Sequence, residues 1–167
     1  MAEEGAPAAV VPRAGRPHMP GYGVPDAEGE SGLLPWSWAV EQLERSRNYW
    51  ICTTRGDGRP HAAPVWAVWV DDALWFSTSP YSQKGRNLER DPRVVIHLES
   101  GDDVVIVEGD ARREVWPDSA FDAYDAKYAY RIDSQNRESS LFVLRPRVAY
   151  TWTESDFTKN ATRWVFD

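Results

Sequence analysis

Residues 60–95 read PHAAPVWAVWVDDALWFSTSPYSQKGRNLERDPRVV, and the fold turns on how this stretch divides. Pro60–Val70 and Ala73–Thr78 are rich in β-branched and aromatic residues, and the Asp71-Asp72 pair between them predicts two strands joined by a tight turn. Pro60 and Pro64 have no N–H to give to a ladder, so the first strand belongs at a sheet edge or is bulged at those points. A bulge there would re-aim its neighbours and free backbone groups for a ligand. A polar loop follows. After it come a short helix carrying Lys84, Arg86, Asn87 and Leu88, and a strand from Val94.

Outward from this centre, the chain alternates short strands with tight turns. On the N-terminal side, Trp36, Ala39, Val40 and Leu43 fall at i, i+3, i+4 and i+7, which predicts an amphipathic helix starting near Pro35. Tyr49–Thr54 is a run of β-formers closed by the glycine-bearing turn Arg55–Arg59. On the C-terminal side, Arg93–Glu99 and Asp103–Val115 read as strands flanking a turn at Ser100–Asp102. Pro117–Arg131 reads as a helix with Phe121, Tyr124 and Tyr128 on one side. Leu141–Trp152 and Thr162–Phe166 supply the last strands. The fold class is therefore mainly β with accessory helices (α+β), a small antiparallel barrel with two or three helices attached.

Residues 1–34 hold five of the twelve prolines and six of the eleven glycines. Little in them could bury surface to offset their ordering entropy, so this tail is expected to be largely disordered, with Met1 to about Arg16 read as disordered. Met19–Val24 contains apolar residues that make it a candidate cover for a pocket. Residues 35–167 form the folded domain. A net charge of -7 opposes general nucleic-acid binding, including a single-strand-binding barrel, without excluding a local basic pocket. One cysteine, Cys52, cannot build a disulfide framework or a zinc site, and no metal site is expected. With no apolar run of membrane-spanning length and no leader pattern, the expectation is a cytoplasmic protein. Nine tryptophans suit core filling or an interface, and also a site for a flat ligand.

Chemistry concentrates at Ser77, Thr78, Ser79, Ser82 and Lys84. Hydroxyls and amides at a strand end, followed by a helix N-terminus, favour an anion, and Lys84 adds a point charge. Asn87, three residues on, shares the helical face of Lys84. Arg86 suits either a second anionic group or an ion pair with Glu89. His61, His97 and Cys52 read as structural, Cys52 as a buried inert thiol. No nucleophile–base arrangement or paired-acid motif stands out, so the catalytic residues are unknown and any redox chemistry would come from a bound cofactor.

Several pieces, taken together in order and spacing, resemble the pyridoxamine 5′-phosphate oxidase-like split β-barrel superfamily of flavin and deazaflavin oxidoreductases. They are Thr53-Thr54, Gly56-Asp57-Gly58-Arg59-Pro60-His61, Pro64-Val65-Trp66, Leu74-Trp75-Phe76-Ser77-Thr78, Lys84-Gly85-Arg86-Asn87-Leu88 and Asp91-Pro92-Arg93-Val94. The Pro-Val-Trp and Lys-x-Arg-Asn-Leu pieces look more like the subgroup using coenzyme F420 or FMN. The arginine-then-Val-Leu-Leu-Lys pattern of true pyridoxamine phosphate oxidases does not stand out.

The resemblance implies an antiparallel Greek-key split barrel, homodimeric, with two cofactor sites in grooves between subunits. Carried over residue by residue, Ser77, Thr78, Ser82 and Lys84 would hold the cofactor phosphate, with Asn87 nearby. The backbone of Ala63, Pro64, Val65 and Trp66 would lie along the tricyclic ring, and Thr54 and Arg59 would serve its edge or tail. The expected function is hydride transfer between F420 or FMN and a small conjugated substrate, with Trp66 or Trp69 stacking on that substrate. A carrier or store holding the cofactor without turnover is the alternative.

Overall fold

A computed structural model describes residues 11–25, 31–132 and 140–167. In chain order its elements are β1 (Arg13–Gly15), α1 (Trp36–Arg45), β2 (Tyr49–Thr54), β3 (Pro60–Val65), β4 (Ala67–Val70) and β5 (Ala73–Ser77). They continue with α2 (Gln83–Arg90), β6 (Arg93–Leu98), β7 (Asp103–Arg113), α3 (Asp118–Tyr128), β8 (Leu141–Thr153), α4 (Phe157–Asn160) and β9 (Thr162–Val165). Every strand pairing among the described residues is antiparallel.

The stretch Pro60–Val70, expected as one strand, is two. β3 pairs with β2, β4 pairs with β5, and Trp66 sits between them in neither ladder. Following hydrogen-bonded neighbours gives β3-β2-β6-β7-β8-β5-β4, so two segments adjacent in sequence lie at opposite ends of one sheet. The sheet curls without closing, as in a split barrel, and Trp66 marks the open seam. The edge position expected from Pro60 and Pro64 holds, because the described residues place no strand on the far side of β3.

Local chemistry explains the turns. Asp71 and Asp72 take φ of 52° and 56°, the paired positive values of a two-residue hairpin whose twist suits its strands. β7 and β8 form the longest pairing, interrupted by a bulge at Glu108/Gly109. There a Cβ on Gly109 would lie 2.1 Å from the Arg145 carbonyl oxygen, so only glycine admits the close approach. Beyond the bulge β8 changes partner: Leu141–Leu144 face β5, whereas Val148–Thr151 face β9.

Two cores result. The barrel interior packs Tyr49, Ile51, Leu74, Phe76, Ile96, Val107 and Leu144, sealed by Ala39 and Leu43 of α1. A second layer packs Val68, Trp75 and Val143 beneath Trp116, Ala120, Tyr124 and Tyr128 of the α3 region. β4 and β5 are buried on both faces, which accounts for their unbroken apolar sequence. Most tryptophans fill these layers: Trp36, Trp69 and Trp164 meet at one end, and Trp75 meets Trp116.

The tail departs in part from its expected disorder. Residues 1–10 lie outside the described residues, but Arg13–Gly15 pair with β9 along Val165–Arg163, satisfying an edge that β9 would otherwise expose. Arg16 then donates to the carbonyls of Lys159 and Ser31, pinning the segment. Tyr22 packs edge-on against Phe157 of α4, so within this chain Met19–Val24 does not line the cleft described below.

Candidate functional site

At the seam, the Trp66 indole lies flat on Tyr128, with centroids 4.6 Å apart and planes within 6°. Tyr130 meets its edge at 6.1 Å, and the Arg47 guanidinium sits 5.5 Å from its centroid. The Tyr128 hydroxyl fixes this stack to the backbone. It accepts the Ala67 N–H at 3.0 Å and lies 2.9 Å and 2.7 Å from the carbonyl oxygens of Ala67 and Arg47, to one of which it donates. Lys127 reinforces the same point, donating to the Tyr49 hydroxyl at 2.7 Å and the Ala67 carbonyl at 3.2 Å. Burial lowers the Lys127 pKa to about 8, with Glu44 pulling the other way.

In front of Trp66 opens a cleft of about 540 Å³ bounded by Ser77, Thr78, Tyr81, Tyr124 and Tyr130. Its described lining holds no carboxylate, lysine, arginine or histidine. A flat, uncharged molecular surface suits such walls.

The hydroxyl loop beside the cleft runs into α2. Ser82 caps the helix, accepting the Gly85 N–H at 3.0 Å while donating to the Ser79 carbonyl at 2.7 Å. Its Oγ also lies 3.2 Å from the Oγ1 of Thr78, whose own N–H donates to the Ser140 carbonyl at 2.9 Å. Gly85 permits this tight loop, since a Cβ there would fall 2.3 Å from the Ser79 carbonyl oxygen. Lys84 follows in the first turn of α2. It is half-buried, burial depresses its pKa, and no carboxylate bridges to it among the described residues. A cation held without a partner at a hydroxyl-rich helix start is a fitting donor set for a phosphate.

The structure thus brings Trp66, Ser77 and Thr78 onto one cleft, and joins Ser82 to Thr78 by hydroxyl contact with Lys84 two residues on. Ala63 and Val65 point to one face of β3 and Pro64 to the other, so a ligand along this segment would meet its unpaired backbone edge rather than all three side chains.

Three expected site residues are engaged elsewhere. Asn87 is fully buried, donating to Thr53 Oγ1 at 2.9 Å and accepting from Gln83 at 2.8 Å, a tie between α2 and β2. Arg59 is held by Asp57 at 2.6 Å on the exposed hairpin turn. Thr54 has an exposed side chain, and its carbonyl accepts from Arg90.

Other readings also change. Trp69 is 7% exposed and belongs to the barrel core, so it offers no stacking face. Glu89 pairs with Arg113 at 2.7 Å rather than with Arg86, which bonds the Tyr81 carbonyl. Cys52 is half-buried, and burial raises its thiol pKa.

Sequence reading missed Tyr130 and Lys127 and gave Tyr124 and Tyr128 no role beyond packing. The aromatic stripe of α3 was the available signal, but nothing local tied it to Trp66.

A seam-split antiparallel barrel defines a fold class, and comparison with known proteins agrees with it. The model of the pyridoxamine 5′-phosphate oxidase family matches residues 38–153, and the chain belongs to that family. Among solved structures, a conserved hypothetical protein, Rv2991 from Mycobacterium tuberculosis, is 24% identical with a TM-score of 0.62, covering 76% of this chain and 89% of its own. A structure described as an F420 reductase is 20% identical with a TM-score of 0.53, covering 74% of this chain and 98% of its own. A heme binding protein from Mycobacterium smegmatis is 20% identical with a TM-score of 0.57, covering 75% of this chain and 61% of its own. At these identities the likeness concerns the fold. Among curated proteins, none matches the chain.

Proposed function

We propose that this protein is an oxidoreductase that binds F420 or FMN and passes a hydride to or from a small conjugated substrate. The observation that carries the reading is a juxtaposition. A cleft whose described lining is aromatic and uncharged adjoins a serine-capped helix start whose lysine has no carboxylate partner among the described residues. A ring with a phosphate-bearing tail matches both halves. Bound, the cofactor would supply the hydride chemistry.

The chain's own residues bind and orient. Lys84, Ser82 and Thr78 hold the phosphate, the free edge of β3 lies along the ring, and Trp66, braced by Tyr128, walls the cleft. One fold neighbour is described as an F420 reductase, which supports the deazaflavin half of the reading.

A second copy of the chain completes the site in this proposal. Trp50, Cys52, Ala62, Pro64, Val95 and His97 share the outer face of the β3-β2-β6 sheet, all at least partly open to solvent in the single chain. An apolar sheet face of this kind is suited to an isologous contact. Among the described residues no helix is long and apolar enough to cross a membrane.

The alternative, a carrier that binds the cofactor without turnover, draws on the absence of a carboxylate, histidine or lysine from the described cleft lining. Purification from a host that makes both cofactors tests the reading. A flavin or deazaflavin spectrum that bleaches with a reductant and returns with a conjugated acceptor supports the enzyme. A spectrum indifferent to every acceptor supports the carrier, and a colourless protein that takes up neither cofactor contradicts both.

A further inference from the structure

Arg47 lies between the end of α1 and Tyr49, the first residue of β2, whose ladder partner is Val65. The chain therefore delivers Arg47 beside Trp66, and the Tyr128 hydroxyl lies 2.7 Å from its carbonyl oxygen. The guanidinium is 5.5 Å from the Trp66 centroid and 5.6 Å from that of Tyr128. Because those two rings stack at 4.6 Å, the cation sits beside the pair rather than within it.

The rings hold the charge of Arg47 but leave its N–H donors unused. Among the described residues no carboxylate bridges to its guanidinium and no acceptor takes a hydrogen bond from it. The carboxylates of the surrounding elements are engaged elsewhere. Glu41 bridges to Arg45, Glu99 accepts from Asn48, Asp125 bridges to Arg131, and Glu44 acts on Lys127. A planar fork of donors, held by aromatic contact and left unpaired, suits a carboxylate.

Trp66 supplies the second half of the arrangement. It is 36% exposed, Tyr128 covers one face, and the cleft opens in front of it. Arg47 is also well separated from the loop assigned to phosphate. Helix α2 meets the far end of β2, where Asn87 bonds Thr53, four residues beyond Tyr49. Along a strand that is about 13 Å. One anionic group cannot serve both ends.

We infer that the cleft selects planar substrates bearing a carboxylate at one edge, with the ring against Trp66 and the carboxylate on Arg47. The inference rests on the reading of this cleft as the site of hydride transfer. A carboxylate on the tail of a cofactor is the other source of the same chemistry, and FMN, which has none, separates the two.

Naphthoate and naphthamide are the probes, since they share flat rings and differ by one charge. Their binding to the full-length protein loaded with FMN is measured by equilibrium dialysis at low and high salt. Wild type should bind naphthoate about fivefold more tightly than naphthamide at low salt, the scale of an exposed ion pair. The preference should fade as salt rises toward about 0.5 M. Arg47→Gln should remove it, Arg47→Lys should keep part of it, and Trp66→Leu should weaken both probes alike.

Equal binding of the two probes by wild type, or binding of neither, overturns the inference and leaves the cofactor reading standing. A preference that survives Arg47→Gln does the same, as does a loss in that variant that falls on F420 and spares naphthoate. Wild-type protein that takes up neither FMN nor F420 overturns both.

Discussion

Lys127 and Lys84 are each partly withdrawn from water, and in each case burial pulls the pKa down. Their surroundings differ. Lys127 donates to the Tyr49 hydroxyl and the Ala67 carbonyl and lies 4.8 Å from the Tyr49 ring centroid, so its ammonium is solvated by the protein itself. Lys84 sits beside a capped helix start with no such partners among the described residues. A cation enclosed by acceptors is built to hold the fold, whereas one left without them at an open loop is built to receive something. In the proposed reading, the difference separates a structural lysine from a binding one.

The comparison can be broken most forcefully from the structural side. Tyr128→Ala removes the ring beneath Trp66 and the hydroxyl that takes up the Ala67 N–H. It should cost about 3–5 kcal/mol of stability, read from denaturant unfolding. A loss below about 1 kcal/mol would mean that the stack does not brace the seam.

Asn87→Ala comes next. It leaves the hydroxyl of Thr53 and the amide of Gln83 without their partner and should cost about 1–3 kcal/mol. If Asn87 instead served mainly as a phosphate ligand, cofactor affinity would fall with little change in unfolding.

Lys127→Met should change stability by only about 1 kcal/mol near neutral pH, since two lost hydrogen bonds are set against relief of a partly buried charge. Its signature is in pH. The folded pKa of about 8 lies below the usual lysine value of 10.5, so between them the unfolded chain binds more protons than the native one. Wild-type stability should gain a contribution that grows as pH rises through that window, up to the point where the tyrosines titrate. The variant should lack it. Parallel pH profiles would contradict the assignment.

The smallest expected change is for Lys84→Ala, which should leave stability within about 0.5 kcal/mol, because no bridge among the described residues depends on it.

These contrasts also show what the sequence could convey. The Asp71-Asp72 turn, the edge character of Pro60 and Pro64 and the stripe of α1 were legible because each depends on residues within one turn or one strand. The hydroxyl loop and Lys84 were legible for the same reason, as a strand end meeting a helix start. The break at Trp66 was not. Pro60–Val70 reads as continuous β, and what stops it is Tyr128, sixty-one residues beyond Ala67, reaching that residue's backbone. The tie of Asn87 to β2 was hidden for a like reason, since its partner Thr53 is thirty-four residues away. Helical periodicity correctly put Asn87 on the side of Lys84 but could not show that this part of the face is closed against β2.

The central claim is that Lys84 and its hydroxyl neighbours hold the phosphate of a ring-bearing cofactor. Fluorescence titration of wild-type protein and Lys84→Ala with F420 and with FMN, both proteins shown folded by circular dichroism, tests it most directly. A charge-assisted contact of about 1.5–3 kcal/mol predicts that the variant binds at least about tenfold more weakly. Equal affinity in the two proteins, or no uptake of either cofactor by the wild type, would contradict it.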